Sequence, residues 1–388
     1  LTLLWVISWH YDKFKLEMTA IRKKTLLIVG PQPPPVGGGT VNVEILLQEL
    51  KKYPDILVTS INTSPKDCHR QTNIFDLEEI RRAGRIIWKY LVNIKKSDSV
   101  LIIATTTSIF TLGSILLFLA RTNHVSCYIK PLGADLHFWL NGQKKMIQKY
   151  LVKVLSAASR VFVQTRELQT ELCALGCNNV THVPGYRLAP SNRVSEERQT
   201  GRPLQLVFLS QIYREKGALL LLEALRMLTS SEKTDVVCDF YGPILKEDRL
   251  EFLRQLQATP SAQYIGIAEI GTASQLMAKY DVLVFPTFCT TEGYPGVIIE
   301  AMQAGIPIIS TRLPSISELI TDHENGLLFP MGDSRALVYA IRHLASDHTL
   351  REKMGRNNYI KGQQFNADHV IYRMLQLMFP ELNPANAD

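Results

Sequence analysis

The sequence predicts an α/β protein of two lobes, each built on a parallel sheet. Three observations carry that expectation. Short apolar runs alternate with helical stretches along most of the chain, the pattern of parallel strands joined by helical crossovers. A polar, strand-free run, Pro190–Pro203 (PSNRVSEERQTGRP), splits the series in two. The length of 388 residues suffices for two domains.

The first strand is Thr25–Gly30, an apolar run that enters PQPPPVGGGT and then a helix near Val41–Lys52. Gly37, Gly38 and Gly39 let backbone approach a ligand closely. They stand after a strand and before a helix, where open α/β sheets bind ligands. The run is neither GxGxxG nor GxxxxGK[ST], so it is no dinucleotide fingerprint and no P-loop. Strands follow at Ile56–Ile61, Ser99–Ala104, Val125–Lys130, Arg160–Gln164 and Val180–Pro184. Helices fall near Asp76–Ile94, Ser108–Arg121 and Gly142–Ala157. Leu101–Ala120 is long enough to suggest a membrane helix, but Thr105–Ser108 divides it into a buried strand and a buried helix. Asp135 and His137 follow a strand end, where loops of such sheets carry catalytic groups. A structural histidine fits that position too. Lys145, Lys149 and Lys153 recur every four residues and share a face beside Met146, Tyr150, Leu151 and Val154. That pattern suits an anionic lipid surface and equally an ordinary solvated face.

Leu204–Ser210 opens the second lobe. In SQIYREKG, Arg214 and Lys216 sit at a strand-to-helix turn, where cations suit a diphosphate; a charged surface turn reads the same. Val236–Tyr241 and Gln263–Gly266 are further strands. The stretch Asp281–Pro307 is the densest in signals. A buried strand, Asp281–Phe285, leads through a polar loop to a helix at Val297–Ala304, closed by Gly305 with Pro307 beyond. Free N–H groups at the helix start suit an anion such as phosphate. Glu292 and Glu300, as carboxylates, accept hydrogen bonds from hydroxyls. A nucleotide sugar offers both groups; a solvated helix with two surface glutamates also fits. A strand at Ile306–Ser310, a short helix in LPSISELI, the strand in HENGLLF and helices at Ser334–Ala345 and Thr349–Gln363 complete the lobe, and an apolar helix at Asp368–Met378 follows.

Net charge is +7 and unevenly placed. Residues 1–190 carry 24 Lys and Arg against 13 Asp and Glu; residues 191–388 carry 19 against 23. A basic first half implies an anionic partner, or simply aids solubility. Cys68, Cys127, Cys173, Cys177, Cys238 and Cys289 are scattered, without zinc spacing, and read as reduced thiols of a cytoplasmic protein. Leu1–Ser8 is too short to span a bilayer, and residues 1–17 read as an upstream extension.

Glu292 and Glu300, with seven residues between and EAMxxGxP following, resemble the glutamate-pair motif of retaining GT-B glycosyltransferases of family 4, the glycosyl transferases group 1. The resemblance implies two Rossmann-like domains across a deep cleft: an acceptor lobe at 18–189, a linker at 190–202, a donor lobe at 203–366 and a C-terminal segment, 367–388, crossing back. It implies that Glu292 faces the donor sugar and Glu300 bonds the ribose hydroxyls. Amides of Gly293, Tyr294, Gly296 and Val297 would hold the diphosphate. Lys216 and Gly217 resemble the end of the family's GR-L-x3-KG motif. Its Gly-Arg is Ser210-Gln211 here, which leaves Arg214 as a substitute. YIGIAEI resembles the base-binding edge, with backbone near Ile267 at the nucleobase. The Gly37–Gly39 run resembles the glycine loop, and Asp135 and His137 the acceptor-side catalytic loop. No Asp-x-Asp occurs, so no metal site and no cofactor are expected beside a UDP- or GDP-sugar donor. The implied reaction moves a hexosyl unit to an acceptor hydroxyl in bacterial cell-surface polysaccharide or glycolipid synthesis. The acceptor would be a lipid-linked saccharide, and the enzyme peripheral on the inner face of the membrane. No nucleic-acid partner is expected. Two rival classes remain: a nucleotide-sugar epimerase or hydrolase on the same fold, and a non-enzymatic basic module for membrane or nucleic acid.

Overall fold

The structure is a computed structural model that describes residues 23–65, 77–133, 135–190, 202–231, 235–269 and 271–382. The extension at 1–17 and nearly all of the 190–202 linker lie outside those residues, as do Cys68 and 383–388.

The first lobe runs β1 (Lys24–Gly30), α1 (Gly38–Leu50), β2 (Ile56–Asn62), α2 (Leu77–Ile94), β3 (Ser99–Ala104), α3 (Ser114–Thr122), β4 (Ser126–Pro131), α4 (Asp135–Asn141), α5 (Lys145–Ser156), β5 (Arg160–Val163), α6 (Arg166–Ala174) and β6 (Val180–His182). The second runs β7 (Leu204–Leu209), α7 (Ala218–Ser231), β8 (Val236–Tyr241), α8 (Arg249–Gln257), β9 (Ala262–Gly266), α9 (Ala273–Met277), β10 (Val282–Phe285), α10 (Gly296–Ala304), β11 (Ile308–Thr311), α11 (Pro314–Leu319), β12 (Gly326–Phe329), α12 (Ser334–Ser346) and α13 (His348–Gly362), and α14 (Ala367–Met378) follows it in the chain.

Each lobe holds a six-stranded parallel sheet, ordered β2-β1-β3-β4-β5-β6 and β12-β11-β10-β7-β8-β9. Parallel strands are covered on both faces, so they read as continuous apolar runs. In β1 the two-residue period splits the run between layers. Leu27 and Val29 enter a core with α2, α3, α5 and α6; Leu26 and Ile28 enter one with α1 and α14. The last helix therefore belongs to the first lobe's packing. Val370, Ile371, Met374 and Leu375 are buried there, each contributing roughly 1.5–3 kcal/mol on burial. The Tyr128 hydroxyl donates to the Met378 carbonyl at 3.1 Å.

Three local readings need correction. Asp135 and His137 do not lie on a loop: both fall in α4, whose Leu136 and Leu140 bury into the first core. Expected as one stretch from Gly142, α5 begins at Lys145, because α4 and the turn after it take residues up to Lys144. The Ser108–Arg121 helix contains a wider π turn at Ile109–Gly113. Cys127, Cys177, Cys238 and Cys289 are buried free thiols, whereas Cys173 is exposed. No helix among the described residues is long and apolar enough to cross a membrane.

Lys130, at the end of β4, is 1% exposed, and among the described residues its ammonium donates to the Val183 carbonyl at 3.3 Å. Burial pushes its pKa down from 10.5 to about 7. Between those values the unfolded chain holds a proton that the folded chain has lost. Stability therefore rises with pH across that window and is lowest below it. Lys130→Met is expected to raise the melting temperature at pH 7 and to flatten the rise toward alkaline pH. Denaturation of both proteins across that pH range checks this. A variant less stable at pH 7 with the same slope would contradict it.

Candidate active site

The site is built from loops at the carboxyl ends of both sheets, where open α/β folds leave a crevice. After β7 the chain makes a 3-10 turn, Arg214–Lys216, and Gly217 adopts φ +83°. That left-handed residue lets the turn lie directly on β10's exit: a Cβ on Gly217 would overlap the Pro286 carbonyl oxygen. The close approach carries Lys216 to Glu292. Its ammonium donates to Glu292 Oε1 in a short ion pair, with the two side chains only 14% and 12% exposed. The rings of Phe285 and Tyr213 lie 5.7 and 5.8 Å from the same ammonium and favour its charge.

The opening of α10 lies beside this pair. Pro295 is its N-cap and Gly305, at φ +70°, closes it. Glu300 is half-buried within α10, and Arg187 Nε donates to its Oε1 at 2.9 Å. Burial raises the Glu300 carboxyl above its ordinary pKa, against the pull of Arg187 in the other direction. The guanidinium also donates to Asn42 Oδ1 on α1, and at 2.8 Å to the Tyr186 carbonyl. It fills the space that a side chain on Gly296 would need.

From the first lobe, Gly37 caps α1, and its N–H donates to Thr40 Oγ1 at 2.9 Å. A Cβ on Gly37 would stand 4.0 Å from Gln211 Nε2, so the glycine turn faces the strand end that opens the second lobe. Gly38 has no neighbour in that sense, and Gly39 sits against Leu132. Gly133, at φ +72°, abuts the Thr291 carbonyl, and Gly293 packs on Gly133 and the Gln164 amide. Asp135 Oδ1 is buried there without a hydrogen-bond partner among the described residues. A buried acceptor left open in this way awaits a donor.

The sequence-predicted residues therefore divide. Lys216, Glu292, Gly293, Gly296, Val297 and Glu300 gather around the start of α10, with Gly133 and Asp135 across from them. Tyr294 is buried in the seam below: its hydroxyl donates to Glu318 at 2.7 Å and its ring meets Phe365 edge-on. Ile267 follows edge strand β9 and is 65% exposed. His137 lies in α4. Arg214 is exposed, and its charge acts on Glu251 of α8. Among the described residues no hydrogen bond or ion pair joins its side chain to Lys216, Glu292 or Glu300.

Two groups escaped the sequence reading. Arg187 stands 113 positions before Glu300, at the point where both interlobe crossings meet. The Arg187 N–H donates to the Phe365 carbonyl at 3.0 Å, and the Ala367 N–H donates to the Arg187 carbonyl at 2.8 Å. Glu318 of α11 accepts from the N–H groups of Arg166 and Glu167 at 2.9 and 3.0 Å. A carboxylate of the second lobe thus caps α6 of the first, satisfying free helix-start donors.

Comparison with known proteins follows this geometry. Residues 192–361 match the family described as glycosyl transferases group 1. The chain is similar to the capsular polysaccharide biosynthesis glycosyltransferase CapM of Staphylococcus aureus, 24% identical over 44% of this chain and 44% of that one. It is similar to the putative teichuronic acid biosynthesis glycosyltransferase TuaC of Bacillus subtilis, 26% identical over 61% and 59%. The chain thus spans less than two thirds of the length of these curated relatives. Among solved structures, sucrose-phosphate synthase of Thermosynechococcus elongatus superposes with a TM-score of 0.70, at 16% identity over 92% of this chain and 98% of that one. Anabaena Alr3699/HepE, in complex with UDP and glucose, gives 0.66, at 18% identity over 92% and 99%. The two six-stranded parallel sheets and these superpositions give the chain a GT-B fold, within which residues 192–361 are similar to the glycosyl transferases group 1 family.

Proposed function

We propose that the protein is a retaining glycosyltransferase that moves a hexosyl unit from a nucleotide diphosphate sugar to an acceptor hydroxyl. The observation that carries this reading is the convergence of Lys216, Glu292 and Glu300 at the start of α10, inside the interlobe cleft. Glu292 would orient the donor sugar and Glu300 the ribose. The acceptor oxygen bonds to the anomeric carbon as the bond to the diphosphate breaks. Negative charge then grows on the leaving phosphate. Lys216 and the free N–H groups of α10 oppose it without a metal ion, as preorganised donors do. Asp135 Oδ1, open and buried across the seam, is the candidate to receive the acceptor's proton. The similarity to a protein solved with UDP and glucose supports a UDP-sugar donor.

The relatives named for polysaccharide synthesis support a lipid-linked saccharide acceptor at a membrane surface. Two features of the first lobe agree with it. A cavity of about 700 Å³ opens beside Pro31 and Leu132, walled by Ile86, Ile103, Leu112 and Ile115. Helix α5 exposes Lys145, Lys149 and Lys153 together with Met146 and Tyr150, a basic amphipathic face for anionic lipid.

Nucleotide release from a panel of UDP-, GDP- and ADP-sugars, with and without lipid-linked saccharides, tests the reaction. One donor is expected to turn over faster with acceptor and to give a product of unchanged anomeric configuration. Conversion of the donor to its epimer without acceptor would overturn the transferase reading. Flotation with anionic liposomes is expected to fall when Lys145, Lys149 and Lys153 become Gln. Equal recovery on neutral and anionic vesicles would remove the membrane element.

A further inference from the structure

We propose that Arg187 is the second diphosphate-binding cation of the cleft, released to the phosphates when Glu300 takes the ribose. The inference rests on the donor-site reading above and adds a residue to it. Its guanidinium lies at the first turn of α10, in the space that Gly296 leaves open by lacking a side chain. That is an adverse place for a positive charge, because the helix start is itself positive. Three partners hold it there: Glu300, Asn42 and the Tyr186 carbonyl. The Arg187 side chain is 8% exposed, so this is a built position and no surface accident.

The site thus contains two parallel arrangements. Lys216 pairs with Glu292, the carboxylate assigned to the sugar. Arg187 pairs with Glu300, the carboxylate assigned to the ribose. A donor brings hydroxyls for both carboxylates and phosphates for both cations. Each ion pair can therefore exchange partners with every carboxylate still accepting hydrogen bonds and every cation still facing an anion, so no buried polar group is left without a partner. A guanidinium suits the task because its planar fork meets phosphate oxygens two at a time. The helix-start amides and the guanidinium then face the same anion, and their mutual repulsion is relieved. Arg187 also joins the lobes, through Asn42 on α1 and through backbone hydrogen bonds to residues 365 and 367. A purely structural strut is the alternative, and it predicts different binding behaviour.

Comparing a nucleoside diphosphate with its nucleoside separates the two. UDP with uridine, and GDP with guanosine in parallel, are the probes, read by titration calorimetry. Arg187→Met would strand Glu300, so Glu300→Gln serves as background and Arg187→Met/Glu300→Gln as the test. Glu300 acts on the ribose, common to both probes, so the affinity ratio of diphosphate to nucleoside reports Arg187. That ratio is expected to fall roughly 10- to 100-fold from Glu300→Gln to the double variant, the cost of a lost charged hydrogen bond. An unchanged ratio would overturn the inference and leave a strut. Wild-type protein that does not distinguish UDP from uridine or GDP from guanosine would instead overturn the donor-site reading itself. Arg187→Lys, which keeps the charge but loses the fork, is expected to fall between.

Discussion

Lys216→Ala is expected to lower donor turnover by roughly 10²- to 10³-fold, the usual cost of removing one preorganised donor from a developing anion. The same change should destabilise the fold by roughly 1–3 kcal/mol, because Glu292 is left mostly buried without its cation. Those two effects are separable. Lys216→Met/Glu292→Gln removes both charges at once and should recover most of the stability, but none of the turnover. Initial rates and urea denaturation of the wild type and both variants check the scheme. A double variant that regains activity along with stability would mean that the pair only holds the loop in place.

Gly217→Ala is expected to cost more than about 4 kcal/mol, a size reserved for a clash that the backbone cannot relieve. At φ +83° an L side chain already costs roughly 1–2 kcal/mol. The added methyl would also overlap the Pro286 carbonyl, a backbone atom fixed by the end of β10. The turn after β7 would have to lift from its neighbour and take Lys216 with it. Gly38→Ala is the control: Gly38 lies in the first turn of α1 with open space around it, and its melting temperature should barely move. Thermal denaturation reads both. A shift of only a degree or two for Gly217→Ala would contradict the packing described for this turn.

Much of this architecture is legible in residue order. Continuous apolar strands such as LLIV in β1 require cover on both faces, and the helices between them supply it. The EGYPGVIIE stretch announces a strand exit, a helix start and two carboxylates before any coordinates are known. Gly217 beside Lys216 signals a tight turn, and that turn delivers the lysine to Glu292 across 76 positions. Arg187 was not legible, since its partners Asn42 and Glu300 lie 145 and 113 positions away. Only the way the two crossings meet beneath α10 brings them together. The placement of Arg214 was not legible for a related reason. A cation next to the KG turn is near in sequence, but the 3-10 turn leaves its side chain exposed, on the side of Glu251. Asp135 and His137 looked like loop residues because they follow a strand end, yet Leu136 and Leu140 carry enough apolar burial to wind the segment into α4.

Calorimetric titration in EDTA, wild type beside Lys216→Ala, most directly tests whether protein charge and helix-start amides hold the donor diphosphate in this cleft. UDP and GDP are the ligands. Wild-type protein should bind one of them with the chelator present, and Lys216→Ala should bind it at least about tenfold more weakly, the equivalent of 1.4 kcal/mol. Binding that appears only after a divalent cation is added, or equal affinity in both proteins, would contradict the account.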